Sequence, residues 1–138
     1  MPAKDIFHEA VKNALQKDGW TITHDPLSIR FGNLNFYVDL GIEKLLAIEK
    51  NGEKIAIEIK SFQGESIVSE FHTALGQFMN YRMILDQKQL KRTLYLAVPL
   101  DTYEEFFQQT FGQIAIKYHQ LKLVVYDVKN EVIVEWIK

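Results

Sequence analysis

An α/β domain with a mixed central sheet flanked by helices is the fold class this sequence predicts. Three observations carry that reading. Apolar residues recur at helical spacing near the N-terminus and again in the middle of the chain, period-two runs lie between and after them, and one short run at 93–98 is apolar on both faces. With 138 residues the chain suits a single domain over 1–138 that buries a core of its own. Hydrophobic residues make up 47% and charged residues 25%, too apolar a balance for a disordered chain.

Each element follows in order. Over 3–18, Ile6, Phe7, Ala10, Val11, Ala14 and Leu15 recur three and four apart, which predicts an amphipathic helix, and Gly19 is its stop. Trp20 and Ile22, then Leu27, Ile29 and Phe31, alternate with polar residues on either side of Asp25-Pro26, predicting strand, turn, strand, with a reversal at Gly32-Asn33. A strand over 36–40 would place Val38 and Leu40 on one face, Tyr37 and Asp39 on the other. Asn51-Gly52, between two β-rich runs within 45–60, predicts a two-residue hairpin. In its second arm Ile55, Ile57 and Ile59 face the core, leaving Ala56, Glu58 and Lys60 together on the opposite face.

A long helix is expected over about 69–85 from the spacing of Phe71, Leu75, Phe78, Met79, Arg82 and Leu85. The run 93–98, ended by Pro99, reads as a central strand. Residues 103–116 read as helical, weakened in the middle by Thr110 and Gly112. Two strands, 121–127 and 131–137, close the chain around a Lys129-Asn130 turn.

Composition excludes several functions. Without cysteine there is no disulfide framework, thiolate zinc site or cysteine nucleophile. No apolar run approaches the roughly 20 residues of a spanning helix, so a cytoplasmic protein without a membrane partner is expected. The formal net charge of −2 means that any grip on a polyanion must come from a local patch. No nucleophile-elbow serine or glycine-rich phosphate loop occurs, so acyl transfer and nucleotide hydrolysis have no support.

One constellation suits phosphodiester hydrolysis. That reaction needs an activated water and neutralisation of developing charge, which a Mg²⁺ held by carboxylates supplies and a neighbouring lysine assists. An acid from one strand, and an acid and a lysine two apart on the next, meet on one face; Asp39, then Glu58 and Lys60, are such a set. Read alone, Glu-x-Lys is also common on the solvated face of a strand. Gln77 and Tyr81, four apart on the following helix, add a face whose amide can hold a carboxylate, a water or a phosphate. Glu9, within the first helix, is either an additional metal ligand or a surface charge.

Val38-Asp39, Ile57-Glu58-Ile59-Lys60 and Gln77-x-x-x-Tyr81, on this element order, resemble the PD-(D/E)xK nuclease superfamily. That group includes restriction endonucleases, Holliday-junction resolvases and RecB-type exonuclease domains. The resemblance implies a restriction-endonuclease-like fold, Mg²⁺ or Mn²⁺ bound by Asp39 and Glu58, and Lys60 assisting hydrolysis; Gln77 and Tyr81 match the helix motif of the RecB-like branch. Val38 stands where the motif has proline. Asp39 and Glu58 are nineteen residues apart, somewhat more than resolvase-like members show, which leaves Glu43 or Glu49 as alternatives to Asp39.

A second resemblance covers nearly the whole chain. Asp18-Gly19-Trp20-Thr21-Ile22-Thr23-His24-Asp25-Pro26, Asp39-Leu40-Gly41-Ile42-Glu43-Lys44-Leu45, Ile57-Glu58-Ile59-Lys60-Ser61-Phe62, Ala74-Leu75-Gly76-Gln77 and Leu94-Tyr95-Leu96-Ala97-Val98-Pro99 are similar to the XisH family of cyanobacterial fdxN element excision controlling factors. It implies a part in controlling excision of a DNA element during heterocyst development, beside a site-specific recombinase and an XisI-like companion protein; DNA and a second copy of the chain are further expected partners.

Other features read more plainly. His8, His24, His72 and His119 have no metal-ligand spacing and read as turn or surface residues, His24 as structural beside Asp25-Pro26. Lys88, Lys91 and Arg92, with Arg82, suit either a DNA backbone or a solvated helix end. Tyr103, Phe106, Phe107 and Phe111 have helical spacing without interleaved basic residues, as core or an oligomer contact does. Two functions therefore fit the sequence: a metal-dependent endodeoxyribonuclease, or a non-catalytic regulator of the recombinase that keeps the nuclease fold.

Overall fold

The computed structural model describes residues 3–44 and 52–138. The elements in chain order are α1 (Ala3–Lys17), β1 (Thr21–His24), β2 (Leu27–Phe31), β3 (Leu34–Val38), β4 (Leu40–Lys44), β5 (Glu53–Ile59), α2 (Ile67–Gln87), β6 (Thr93–Pro99), the short α3 (Leu100–Thr102) running into a π-helical turn over Tyr103–Phe107, α4 (Thr110–His119), β7 (Leu123–Asp127) and β8 (Val132–Ile137). Six strands form one mixed sheet in the order β1-β4-β5-β6-β7-β8, parallel along β5-β6-β7 and antiparallel elsewhere. β2 and β3 form a separate two-stranded ribbon.

Both faces of the sheet are covered. On one, Val11 and Leu15 of α1 pack on Leu40, Ile42, Ile55, Ile57, Tyr95 and Tyr126. On the other, Phe71, Ala74 and Phe78 of α2 pack with Ala56, Leu94, Leu96 and Val98. The parallel strands β5 and β6 need a crossover, and α2 supplies it. Ser66 caps that helix, its hydroxyl accepting from the Ser69 N–H at 3.2 Å.

Three expectations change. Residues 36–40 are not one strand: β3 pairs with β2 and β4 with β5, so the chain bends at Asp39 as it leaves the ribbon for the sheet. Val38 and Leu40, expected side by side, are therefore buried in opposite cores. At the expected hairpin, Asn51 lies outside the described residues; Glu53 pairs with Lys44, not with residue 50 as a two-residue turn at 51–52 would require. The tight reversal falls at Gly32-Asn33, where Phe31 pairs with Leu34 and Gly32 takes φ +61°. Finally, residues 103–116 divide between the π-helical turn and α4. Gly112, in the first turn of α4, lets that helix pack closely on the π-helical turn, since a Cβ there would lie 2.6 Å from the Phe107 Cα.

Candidate active site

Glu58 is the penultimate residue of β5, on the face that α2 covers, and is only 5% exposed. A solvated strand face is thus not what surrounds it. The bend at Asp39 brings that side chain to the same strand end, where Asp39 Oδ2 accepts the Ile59 N–H at 2.7 Å. In return Glu58 Oε1 accepts the Asp39 N–H at 3.3 Å. These reciprocal bonds hold the two carboxylates together although nineteen residues separate them. Lys60 Nζ lies 3.5 Å from Glu58 Oε2. The Lys60 backbone is fixed on both sides, its N–H donating to the Ala97 carbonyl at 3.0 Å and its carbonyl accepting the Tyr126 hydroxyl at 3.1 Å.

Burial, reinforced by the Asp39 charge, pushes the Glu58 carboxyl up to about 7, against the pull of Lys60. The Tyr81 hydroxyl is raised too, first by burial and then by the charges of Glu58 and Asp39. The face of α2 that carries Tyr81 thus feels the carboxylates. Gln77 is one turn earlier on that face, and its Oε1 is buried without a hydrogen-bond partner. An unpartnered buried carbonyl is an acceptor awaiting a ligand, or a cost without return. Phe36 of the ribbon closes the far side of Tyr81, the rings edge to face with centroids 6.5 Å apart.

Two shallow clefts flank the strand end. One, of about 40 Å³, lies between Phe7, His8, Asp39, Ile59 and Ser61. The other, of about 240 Å³, lies between Ile59, Lys60, Ser61, Phe62 and Glu70. Asp39, Glu58, Lys60 and Tyr81 are thus brought together, and Gln77 lies one turn of α2 before Tyr81. Glu9 points elsewhere: its side chain is 56% exposed and lies 3.8 Å from Lys12. Glu43 pairs with Lys54 at 3.8 Å and Arg92 at 3.4 Å, several residues down the sheet, so of the described acids it is Asp39 that stands beside Glu58. Glu49 lies outside the described residues. The sequence places His8 among the turn or surface histidines. It is not a plain surface residue; it lines the Asp39 cleft and its Nε2 lies 2.8 Å from Asp25 Oδ1. No local signal pairs residues seventeen apart.

The donors present are carboxylate and amide oxygens, which suit a hard divalent cation such as Mg²⁺ or Mn²⁺. A buried carboxyl with a raised pKa beside a second carboxylate gains from such a charge. Among the described residues, however, no group of three or more histidine and acidic side chains is arranged to hold a metal ion. The fit therefore rests on two carboxylates and the unpartnered Gln77 oxygen.

The mixed sheet, covered by helices on both faces and with an acid pair and a lysine at one strand end, defines a three-layered α/β domain with a buried ionisable site. The chain belongs to the XisH family, whose model, described as XisH protein, matches residues 1–134. It is similar to the crystal structure of an XisH family protein from Nostoc punctiforme PCC 73102, with 51% identity and a TM-score of 0.87 over 97% of this chain and 100% of that one. It is equally similar to the crystal structure of an fdxN element excision controlling factor protein from Anabaena variabilis, at 52% identity and a TM-score of 0.86 over 97% and 99% of the two chains. No curated protein matches. Among the described residues no helix is long and apolar enough to cross a membrane.

Proposed function

We propose that this chain is an excision controlling factor, like its Anabaena relative, and that it carries a Mg²⁺- or Mn²⁺-dependent endodeoxyribonuclease site on a restriction-endonuclease-like fold. The observation that carries the proposal is Glu58, buried and hydrogen-bonded to Asp39, with Lys60 beside it. Three ionisable groups gathered under a helix are costly unless a ligand compensates them. Asp39 and Glu58 would hold the cation, which supplies a Lewis acid and an activated water. Lys60, held by Ala97 and Tyr126, places positive charge where the phosphate gains negative charge. Gln77 offers its free Oε1 to a water or to the ion's shell. DNA is the substrate, and an XisI-like companion, a recombinase and a second copy of the chain are the partners, in the cytoplasm.

The test is cleavage of supercoiled plasmid and branched DNA with Mg²⁺ or Mn²⁺, comparing wild type with Glu58→Ala and Lys60→Ala at matched folding. Nicking abolished in both variants supports the site; cleavage retained by Lys60→Ala refutes the role assigned to it.

A second reading, a non-catalytic regulator, draws on the small number of converging ligands and on the controlling role in the relative's description. It expects excision control to survive Glu58→Ala. Loss of control with partner binding intact would count against it.

A further inference from the structure

At the opposite end of β5 from Glu58, the ribbon, the β5 start and the segment after α2 enclose an open concavity of about 560 Å³. Its lining includes His24, Arg30, Lys54, Lys88, Lys91 and Arg92 and contains no aspartate or glutamate. In a chain of net charge −2 this is a local concentration of positive charge. The residues come from three distant stretches of sequence, so only the fold assembles them. Lys88 and Arg30 are joined directly, the Lys88 ammonium donating to the Arg30 carbonyl, which ties the ribbon to the end of α2. Lys54 and Arg92 pair with Glu43, which lies outside that lining. Among the described residues Arg30, Lys88 and Lys91 have no ion-pair partner and are exposed.

We infer that this concavity is a docking site for the sugar–phosphate backbone of a nucleic-acid duplex, distinct from the carboxylate site. Unpaired cations on both walls of an open groove suit a rod-like polyanion. No phenylalanine, tyrosine or tryptophan lines it, so the stacking platform that single strands require is missing. No cluster of exposed apolar side chains lines it either, as insertion into a lipid surface would need. Ser28 and Gln89 add neutral donors at the rim. Lys54 and Glu58 lie four residues apart on one face of β5, about 13 Å along the strand. That distance is about four base pairs of duplex rise, so a duplex seated here runs toward the strand end that carries the carboxylates.

The experiment is fluorescence anisotropy of a labelled DNA duplex of about 20 base pairs, and of a matched RNA duplex, in EDTA so that cleavage plays no part. Wild type is compared over about 50 to 200 mM salt with the triple variant Arg30→Gln, Lys88→Gln, Lys91→Gln. Lys117→Gln, Lys129→Gln, Lys138→Gln is the control, with the same change in net charge elsewhere. Loss of three phosphate contacts makes the log–log salt slope shallower by roughly 2 to 3 and weakens binding on the order of 100-fold near 0.1 M salt. The control leaves both unchanged, and that pattern with either duplex supports the inference. Equal loss in both triples, no loss in the first, or wild type held by phosphatidylserine vesicles and not by duplex overturns it. Because no metal is present, failure of the nuclease proposal leaves this result standing, and the reverse holds equally.

Discussion

Replacing Glu58 with glutamine isolates the cost of charge beneath α2. The Glu58 carboxyl, ordinarily near 4.5, is pushed up to about 7, chiefly by burial and then by Asp39. Because the folded state holds this proton more tightly than the unfolded chain, stability from this group is full below about 4.5. It is lost as pH rises toward 7, and above that the ionised, buried carboxylate burdens the fold. A difference of about 2.5 pH units at 1.36 kcal/mol each corresponds to roughly 3 kcal/mol. Glu58→Gln keeps the shape, and its Oε1 can still accept the Asp39 N–H, but it never ionises. Urea unfolding in EDTA between pH 5 and 8.5 should show wild type losing stability as pH rises. The variant should show a much flatter profile and exceed wild type at pH 8 by about 2 to 3 kcal/mol. A divalent cation should narrow that gap by stabilising wild type alone. If both proteins show the same pH profile, or the variant is weaker at pH 8, the buried-charge reasoning is wrong.

Other predictions follow from single contacts. Gln77→Met removes a buried, unpartnered oxygen and should leave stability unchanged or raise it by about 1 kcal/mol while lowering cleavage, read by urea unfolding and plasmid nicking. Tyr126→Phe deletes the hydroxyl that holds the Lys60 carbonyl. It should cost about 1 kcal/mol of stability and reduce cleavage with cation affinity unchanged, measured by unfolding, nicking and Mn²⁺ titration. Gly112→Ala places a methyl against the Phe107 backbone and should cost about 1 to 3 kcal/mol by thermal unfolding, since backbone cannot yield as a side chain can.

Much of this was legible in the sequence because periodicity reports burial. The stripe Ala10, Val11, Ala14, Leu15 and the apolar run before Pro99 both became core, at nearly the expected bounds. The alternation of Ile55, Ile57 and Glu58 correctly separated the two faces of β5; that α2 covers the second face, and so buries Glu58, is a tertiary fact no local pattern carries. The bend at Asp39 was invisible for a related reason. Val38 and Leu40 fit one strand by alternation, and only the competing partners β2 and β5 split them. Yet that break is what turns the acid toward the Ile59 N–H. His8 with Asp25, and Arg30 with Lys88, are likewise encounters between distant segments. Asn51-Gly52 carried strong turn chemistry, but the register of Glu53 with Lys44 followed the sheet.

The most direct test of the carboxylate site is Mn²⁺ binding by electron paramagnetic resonance at pH 7.5, comparing wild type with Asp39→Asn, Glu58→Gln, Glu43→Gln and Glu9→Gln. The account predicts a single bound ion in wild type, affinity lowered at least about tenfold, some 1.4 kcal/mol, by Asp39→Asn and by Glu58→Gln, and little change from the other two. No binding by folded wild type, or binding that survives both Asp39→Asn and Glu58→Gln, would contradict it.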